Sequence, residues 1–249
     1  MDVPLTVDTL ESELARARDL SVAELADAIE SIGFECTHCG ACCRAEASCG
    51  EPLDGSSDAD TTQGDATTDT NGEAHTATIF PDEVRRLLSA ENEATDWRDV
   101  ARPMPYGLSP TDDGGLEGET FEWALQTDAC GDCVFYDDAA DGTGGCTVHA
   151  DRPLICQTYP FSVSLDGTSQ PMGEAVDAAG VVRAHECEGL GRDIDRADAE
   201  RLADALRERA VRELEEAIAV RDAYEPAAEP GAVVVHDSEG AKRPDGSSR

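Results

Sequence analysis

Apolar residues fall along this chain in short groups separated by long polar intervals. Between 8 and 19, Leu10, Leu14 and Ala17 recur on one side of a helical repeat, which predicts a short helix. A second helix is better marked. Ser21 and Glu24 have the spacing of a capping box, and Val22, Leu25, Ile29 and Ile32 form an apolar stripe. Gly33 stands where a glycine ends a helix. From 50 to 78 Leu53 is the one large apolar residue among acids, Thr, Ser and Gly, the pattern of a disordered acidic insertion. Helix resumes at Pro81, a favoured first-turn residue, with Asp82 and Glu83 behind it and Val84, Leu87 and Leu88 on one side. Residues 104–120 read as loop and 121–126 as a strand. Segments 162–165 and 181–184 read as two more strands. The longest helix is predicted over 195–222, where Leu202, Leu206, Ala210, Val211, Leu214 and Ile218 make a stripe between charged faces.

These elements predict an α+β fold, mainly helical and irregular, with a small metal-stapled cysteine-rich domain carrying short strands. N-terminal helices occupy 1–33 and the cysteine-rich domain 34–192, with the insertion at 50–78. A C-terminal helix at 193–224 packs on it, and 225–249 is expected to be a disordered tail rich in Pro, Gly and Ser.

Composition narrows the function. The 249 residues carry 54 Asp and Glu against 19 Lys and Arg, a formal charge of −35. Such a field repels phosphates, so nucleic acid is not an expected partner. No run approaches the ~20 apolar residues of a membrane span, so no membrane partner is expected either. Lys242 is the one lysine beside 18 arginines. High acid, almost no Lys and few large apolar residues match a protein that works in concentrated salt, as in a halophilic archaeon, where ions screen the self-repulsion. The N-terminus lacks the basic and apolar regions of a secretory signal, so a reducing, cytoplasmic setting is expected.

Ten cysteines are the chemistry-bearing feature. Clustered cysteines in a reducing compartment point to metal binding or redox work rather than to disulfides. Cys36, Cys39, Cys42 and Cys43 are spaced C-x2-C-x2-C-C. Two-residue gaps let successive thiolates face one ion or cluster, and Gly40 permits the tight turn. The first three match the opening of a bacterial ferredoxin run, but Glu46 stands at the fourth position, so a further ligand must come from elsewhere. A local alternative is a zinc knuckle of Cys130, Cys133, Cys146 and His149. His38 reads as a loop side chain, His185 as a weak candidate ligand, and His75 and His236 as parts of mobile segments.

The order of motifs resembles the CxxCxxCC cysteine-cluster family, whose members are described as zinc- or iron-chelating. The run 36–43 is followed by TIFPDEVRRLL at 78–88, then by Cys133 with Val134 and Phe135. Cys146, Arg152, Pro153, Cys156, Tyr159, Pro160 and Phe161 come next, and finally Cys187 and Gly189. The resemblance implies metal ligation by Cys36, Cys39, Cys42, Cys43, Cys133, Cys146, Cys156 and Cys187. His149 replaces the family's usual Tyr and Gln157 its usual Arg, while Cys49 and Cys130 fall outside the pattern.

Eight thiols would fill two four-coordinate centres, or one centre with four spare thiols. An iron–sulfur cluster, of the 4Fe–4S type, is the favoured cofactor and zinc the alternative. Arg152, between two of the thiols, would offset the negative charge of a thiolate-ligated centre. The favoured role is electron transfer, assembly or an accessory function. Flagellin lysine methylases share the cysteine pattern, so a protein-lysine methylase is an alternative, although no glycine-rich cofactor loop is present. A zinc module binding a protein partner through the C-terminal helix is a third possibility. The charge pattern also makes a direct prediction. Screening length grows from about 3 Å at 1 M salt to about 10 Å at 0.1 M, so the thermal unfolding midpoint should fall as salt is withdrawn. Equal midpoints in molar and decimolar NaCl would refute the high-salt assignment.

Overall fold

In the computed structural model, which describes residues 7–45, 74–90, 96–112, 114–138, 144–165, 175–226 and 231–249, the predicted helices stand where their stripes place them. The order is α1 (Val7–Asp19), α2 (Val22–Ile32), β1 (Thr78–Ile79), α3 (Pro81–Ser89), α4 (Trp97–Val100) and β2 (Ala101–Pro103). There follow β3 (Leu108–Pro110), β4 (Leu116–Thr120), β5 (Trp123–Leu125), β6 (Tyr136–Asp138), β7 (Gly144–Cys146) and α5 (Leu154–Thr158). The chain ends with β8 (Phe161–Val163), β9 (Ala175–Asp177), β10 (Val182–His185), α6 (Arg196–Ala223), β11 (Val233–Asp237) and β12 (Gly240–Lys242). The fold is α+β. Ser21 Oγ accepts from the Glu24 amide at 3.3 Å, which starts α2. Gly33 ends it at φ 78°, with its amide bonded to Ile29 O at 2.8 Å.

Two apolar cores result. In the first, α1, α2 and α6 close over β8 and β10 through Leu14, Leu25, Ile29, Phe161, Val182 and Leu206. In the second, Ile79, Val84, Leu87, Trp97, Trp123 and Phe135 pack with Cys133, and Cys43, Cys146 and Cys156 lie against them. Arg209 of α6, 1 % exposed, joins the two regions. Its guanidinium donates to Thr158 Oγ1 at 3.0 Å and to Glu213 Oε1 at 2.7 Å. A buried guanidinium bonded on two sides fixes α6 against the short helix that carries Cys156. One arginine can serve several acids: Arg196 pairs with Asp27, Glu30 and Glu200.

Helix exceeds strand, and the strands are short, as expected. The sheets are β1–β5–β2, β8–β10–β9, β12–β11–β4–β3 and β6–β7. Two segments correct the sequence-based assignment. Residues 104–120, expected as loop, contain the antiparallel pair β3 and β4. Residues 225–249, expected as a disordered tail, contain β11 and β12. There Val233, Val234 and Val235 run parallel to β4 in register with Gly118, Glu119 and Thr120. Three successive β-branched residues suit a strand, and the polar flanks concealed them. The segment is locked where the buried Trp123 Nε1 donates to Asp237 Oδ2 at 2.9 Å. His236, assigned to that tail, is 2 % exposed and stacks on Phe121. His75 is likewise tied down: its amide bonds Gly131 O at 2.8 Å, and burial first, then Arg102, lowers its imidazole to about 4. The remainder of the predicted insertion, with Leu53, lies outside the described residues, as does Cys49. No helix among the described residues is long and apolar enough to cross a membrane.

Glu122, just before β5, faces Glu213 and Glu216 of α6. Although the residue is exposed, desolvation by the atoms packed around its carboxyl, then these two carboxylates, pushes it up to about 7 from an ordinary 4.5. The folded state therefore holds this proton more tightly than the unfolded chain does. Its contribution to stability is complete below pH 4.5 and is lost as pH rises to about 7. Glu122→Gln should flatten that part of the stability curve relative to the parent chain, measured by thermal unfolding at constant salt. Parallel curves for the two proteins would show that the three carboxylates do not interact.

Candidate metal centre

The CxxCxxCC run leaves α2 through Gly33 and is held on both sides. On one side Glu35 N bonds Gly189 O at 3.1 Å and Gly191 N bonds Gly33 O at 3.0 Å, which brings the segment carrying Cys187 alongside. On the other, Cys133 N donates to Cys43 O at 2.8 Å and Ala45 N to Asp132 Oδ1 at 2.7 Å. Gly40 turns the chain at φ 72° into a 3-10 turn at Ala41–Cys43. A Cβ at this position would run into the Tyr136 ring, so only glycine lets the run approach β6. Arg44 then covers that ring at 5.2 Å and donates to its hydroxyl at 2.9 Å.

The downstream thiols arrive on short elements. Tyr136 of β6 pairs with Cys146 of β7. The turn at His149–Asp151 leads through Arg152 and Pro153 into α5, which carries Cys156. Glu83 of α3 supports this helix, accepting from Leu154 N at 2.9 Å and from Phe80 N at 3.2 Å. The sequence marks Glu83 as an ordinary first-turn acid. Its second use, capping another helix 71 positions away, carries no local signal.

All eight predicted thiols converge on one region. Cys133 is buried, Cys36 and Cys42 are exposed, and the other five are half-buried. Cys43, Cys133, Cys146 and Cys156 lie against the second core. Cys42 interacts with both this group and the group of Cys36, Cys39 and Cys187. The adjacent pair Cys42 and Cys43 shares a hydrogen bond in place of the divergence that neighbouring side chains lead one to expect. Among the described residues, no three of these sulfurs lie within 4.8 Å of one another. The trio of donors that does is Cys36, His38 and His149. The spacing-based knuckle is therefore not how His149 is placed. Its ring stands 4.8 Å from that of His38, and His38 owes its position to a left-handed backbone at φ 56°. Neither histidine belongs to the predicted ligand set. Their meeting across 111 positions could not be found by spacing. His185 bonds Ser162 Oγ at 2.8 Å, and Cys130 N bonds Asp128 Oδ1 at 2.8 Å.

Electrostatics divide the thiols. Burial pushes Cys133 up to about 11 and Cys156 well above the ordinary thiol range, with neighbouring sulfurs adding to both. Cys43 is raised because its proton is held by Cys42, and burial adds to this. Cys42 is lowered to about 7, chiefly by that hydrogen bond and further by the Arg152 charge. Arg152 also favours the thiolates of Cys146 and Cys156, while its Nε is held by His149 O at 3.0 Å.

These features define a class: a cysteine-cluster α+β domain with soft donors gathered from both halves of the chain. The model of the CxxCxxCC family, described as "Putative zinc- or iron-chelating domain", matches residues 35–188, and the chain belongs to that family. No curated protein and no solved structure matches it.

Reactivity should follow the electrostatics. At pH 7 half of Cys42 would be thiolate, against about 1 % of a thiol that titrates near 9. In reduced, metal-free protein, iodoacetamide should label Cys42 before Cys133 and Cys156, by peptide mapping, and Arg152→Gln should slow the Cys42 reaction. Labelling of Cys156 as fast as Cys42 would contradict the assigned burial.

Proposed function

We propose that this protein ligates a metal centre through the thiols that meet at the second core, as an iron–sulfur cluster in preference to zinc. The set is built on Cys43, Cys133, Cys146 and Cys156. Cys42 stands at its exposed side, and Cys36, Cys39 and Cys187 gather beyond. One observation carries this: the Cys133 N–H bond to Cys43 O joins the CxxCxxCC run to the downstream cysteines and seats them against one apolar core.

The donor chemistry fits. Thiols this buried resist ionisation, and a cation or cluster among them supplies the charge that makes their thiolates stable. Four soft sulfurs suit iron–sulfur clusters and zinc alike. An all-sulfur set with a ferredoxin-like opening favours iron. Arg152 offsets part of the charge of such a centre. A bound cluster would supply one-electron chemistry, and the protein's own residues hold it in a largely apolar seat. The role that suits this arrangement is electron transfer, assembly or another accessory function rather than catalysis.

The test is metal and sulfide analysis of full-length protein purified without oxygen. Brown protein containing iron and sulfide is expected. Cys156→Ser should lose essentially all of that iron, and Cys130→Ser should keep it. Colourless protein with stoichiometric zinc would replace the cluster by zinc. Protein with neither metal, or equal losses in the two variants, would overturn the assignment.

A further inference from the structure

Cys36, His38 and His149 bring one thiol and two imidazoles together at the mouth of the cysteine region. A donor atom of each lies within 4.8 Å of the other two. Tetrahedral zinc, with Zn–N about 2.0 Å and Zn–S about 2.3 Å, sets two nitrogens and one sulfur about 3.3–3.5 Å apart. The trio thus stands within about 1.5 Å of ligation geometry. Exposed Cys36 and His38 can close that gap by rotamer changes alone. The Nε2 of His149 is shielded from solvent and has no hydrogen-bond partner among the described residues. A buried ring nitrogen normally has a partner. Simple ring packing between the two histidines would account for the 4.8 Å between them. It would not account for the unpartnered nitrogen or for the third donor.

We infer that Cys36, His38 and His149 form a mixed thiolate–imidazole site for a borderline divalent cation of the zinc type, separate from the thiols at the second core. Two nitrogens and one sulfur suit Zn²⁺ and Co²⁺, whereas calcium and magnesium prefer oxygen and clusters prefer sulfur. Three protein ligands leave a fourth position to water or another small ligand. The backbone supports the site, because Arg152 holds the His149 carbonyl and His38 occupies a conformation uncommon for residues other than glycine. One thiolate against a divalent cation leaves a net positive charge, which suits an acidic chain better than a second four-thiolate centre would. The site shares no ligand with Cys43, Cys133, Cys146 and Cys156 and does not depend on what they bind.

Cobalt provides the probe. Reduced full-length protein, titrated with Co²⁺ without oxygen, should take up one equivalent that the double variant His38→Ala/His149→Ala lacks. The parent-minus-variant spectrum should show four-coordinate ligand-field bands with the weak sulfur charge transfer of a single thiolate. Cobalt-loaded parent protein should also show two hyperfine-shifted, exchangeable imidazole N–H resonances, a readout that needs no variant to fold. Cys156→Ser should abolish metal at the core and leave those resonances in place. Loss of the core metal in the histidine variant alone would not mimic this pattern. Equal cobalt uptake by parent and histidine variant, or absence of shifted imidazole protons in the parent, would overturn the inference.

Discussion

The arrangement hangs on one junction, the backbone hydrogen bond from Cys133 N to Cys43 O at 2.8 Å. It joins segments of chain 90 positions apart, on either side of a stretch rich in acids, Thr, Ser and Gly. Closing a long loop costs only slightly more than closing a moderate one, so such a junction is thermodynamically accessible. Once made, it is reinforced by Ala45 N on Asp132 and by Arg44 on Tyr136. Gly40 permits the approach. The CxxCxxCC run then faces the side of the second core where Cys146 and Cys156 arrive. The bonds between Glu35 and Gly189 and between Gly191 and Gly33 hold the other side of the run, next to Cys187.

Much of the fold could be read directly from local pattern. α2, α3 and α6 have apolar stripes, α2 has its capping serine and terminal Gly33, and α3 has Pro81 at its start, because helix signals are contained within one turn or two of chain. Short strands carry weaker signals. β11 is three valines inside a polar stretch, and β4 is Leu-Glu-Gly-Glu-Thr, with no alternation to find. Both exist because they pair with each other and because Asp237 satisfies a buried indole, conditions set by distant residues. The same distinction holds at the site. The eight cysteines announce themselves by spacing and order. The encounter of His38 with His149, and the capping of α5 by Glu83, depend on tertiary approach alone.

A protein so short of large apolar residues raises the question of what closes it. The two cores show part of the answer: small and medium side chains, with Ala17, Ala26, Ala199 and Ala203 fully buried, let α1, α2 and α6 pack closely without much bulk. Ion pairs supply orientation more than energy. Those of Arg196 and Arg221 lie near the surface, where each such contact is worth little on its own. Arg209 differs because it is buried and bonded to two elements, so its loss would strand polar partners in the interior.

The sulfurs fit that picture in two ways. While protonated, Cys133 and its half-buried neighbours are small, weakly polar side chains that fill the edge of the second core as alanine or valine would. Their raised titration keeps them in that form at neutral pH. To ligate the proposed cation, the same atoms would ionise and draw closer together, since among the described residues no three of the eight sulfurs lie within 4.8 Å of one another. A core edge made of thiols can therefore close before the metal is present and bind it afterwards. That order of events suits the proposed core set, in which Cys43 and the downstream Cys133, Cys146 and Cys156 lie on either side of an acidic stretch of chain. Arg152, fixed between the His149 carbonyl and the thiols, supplies the positive field that the transition from one form to the other requires.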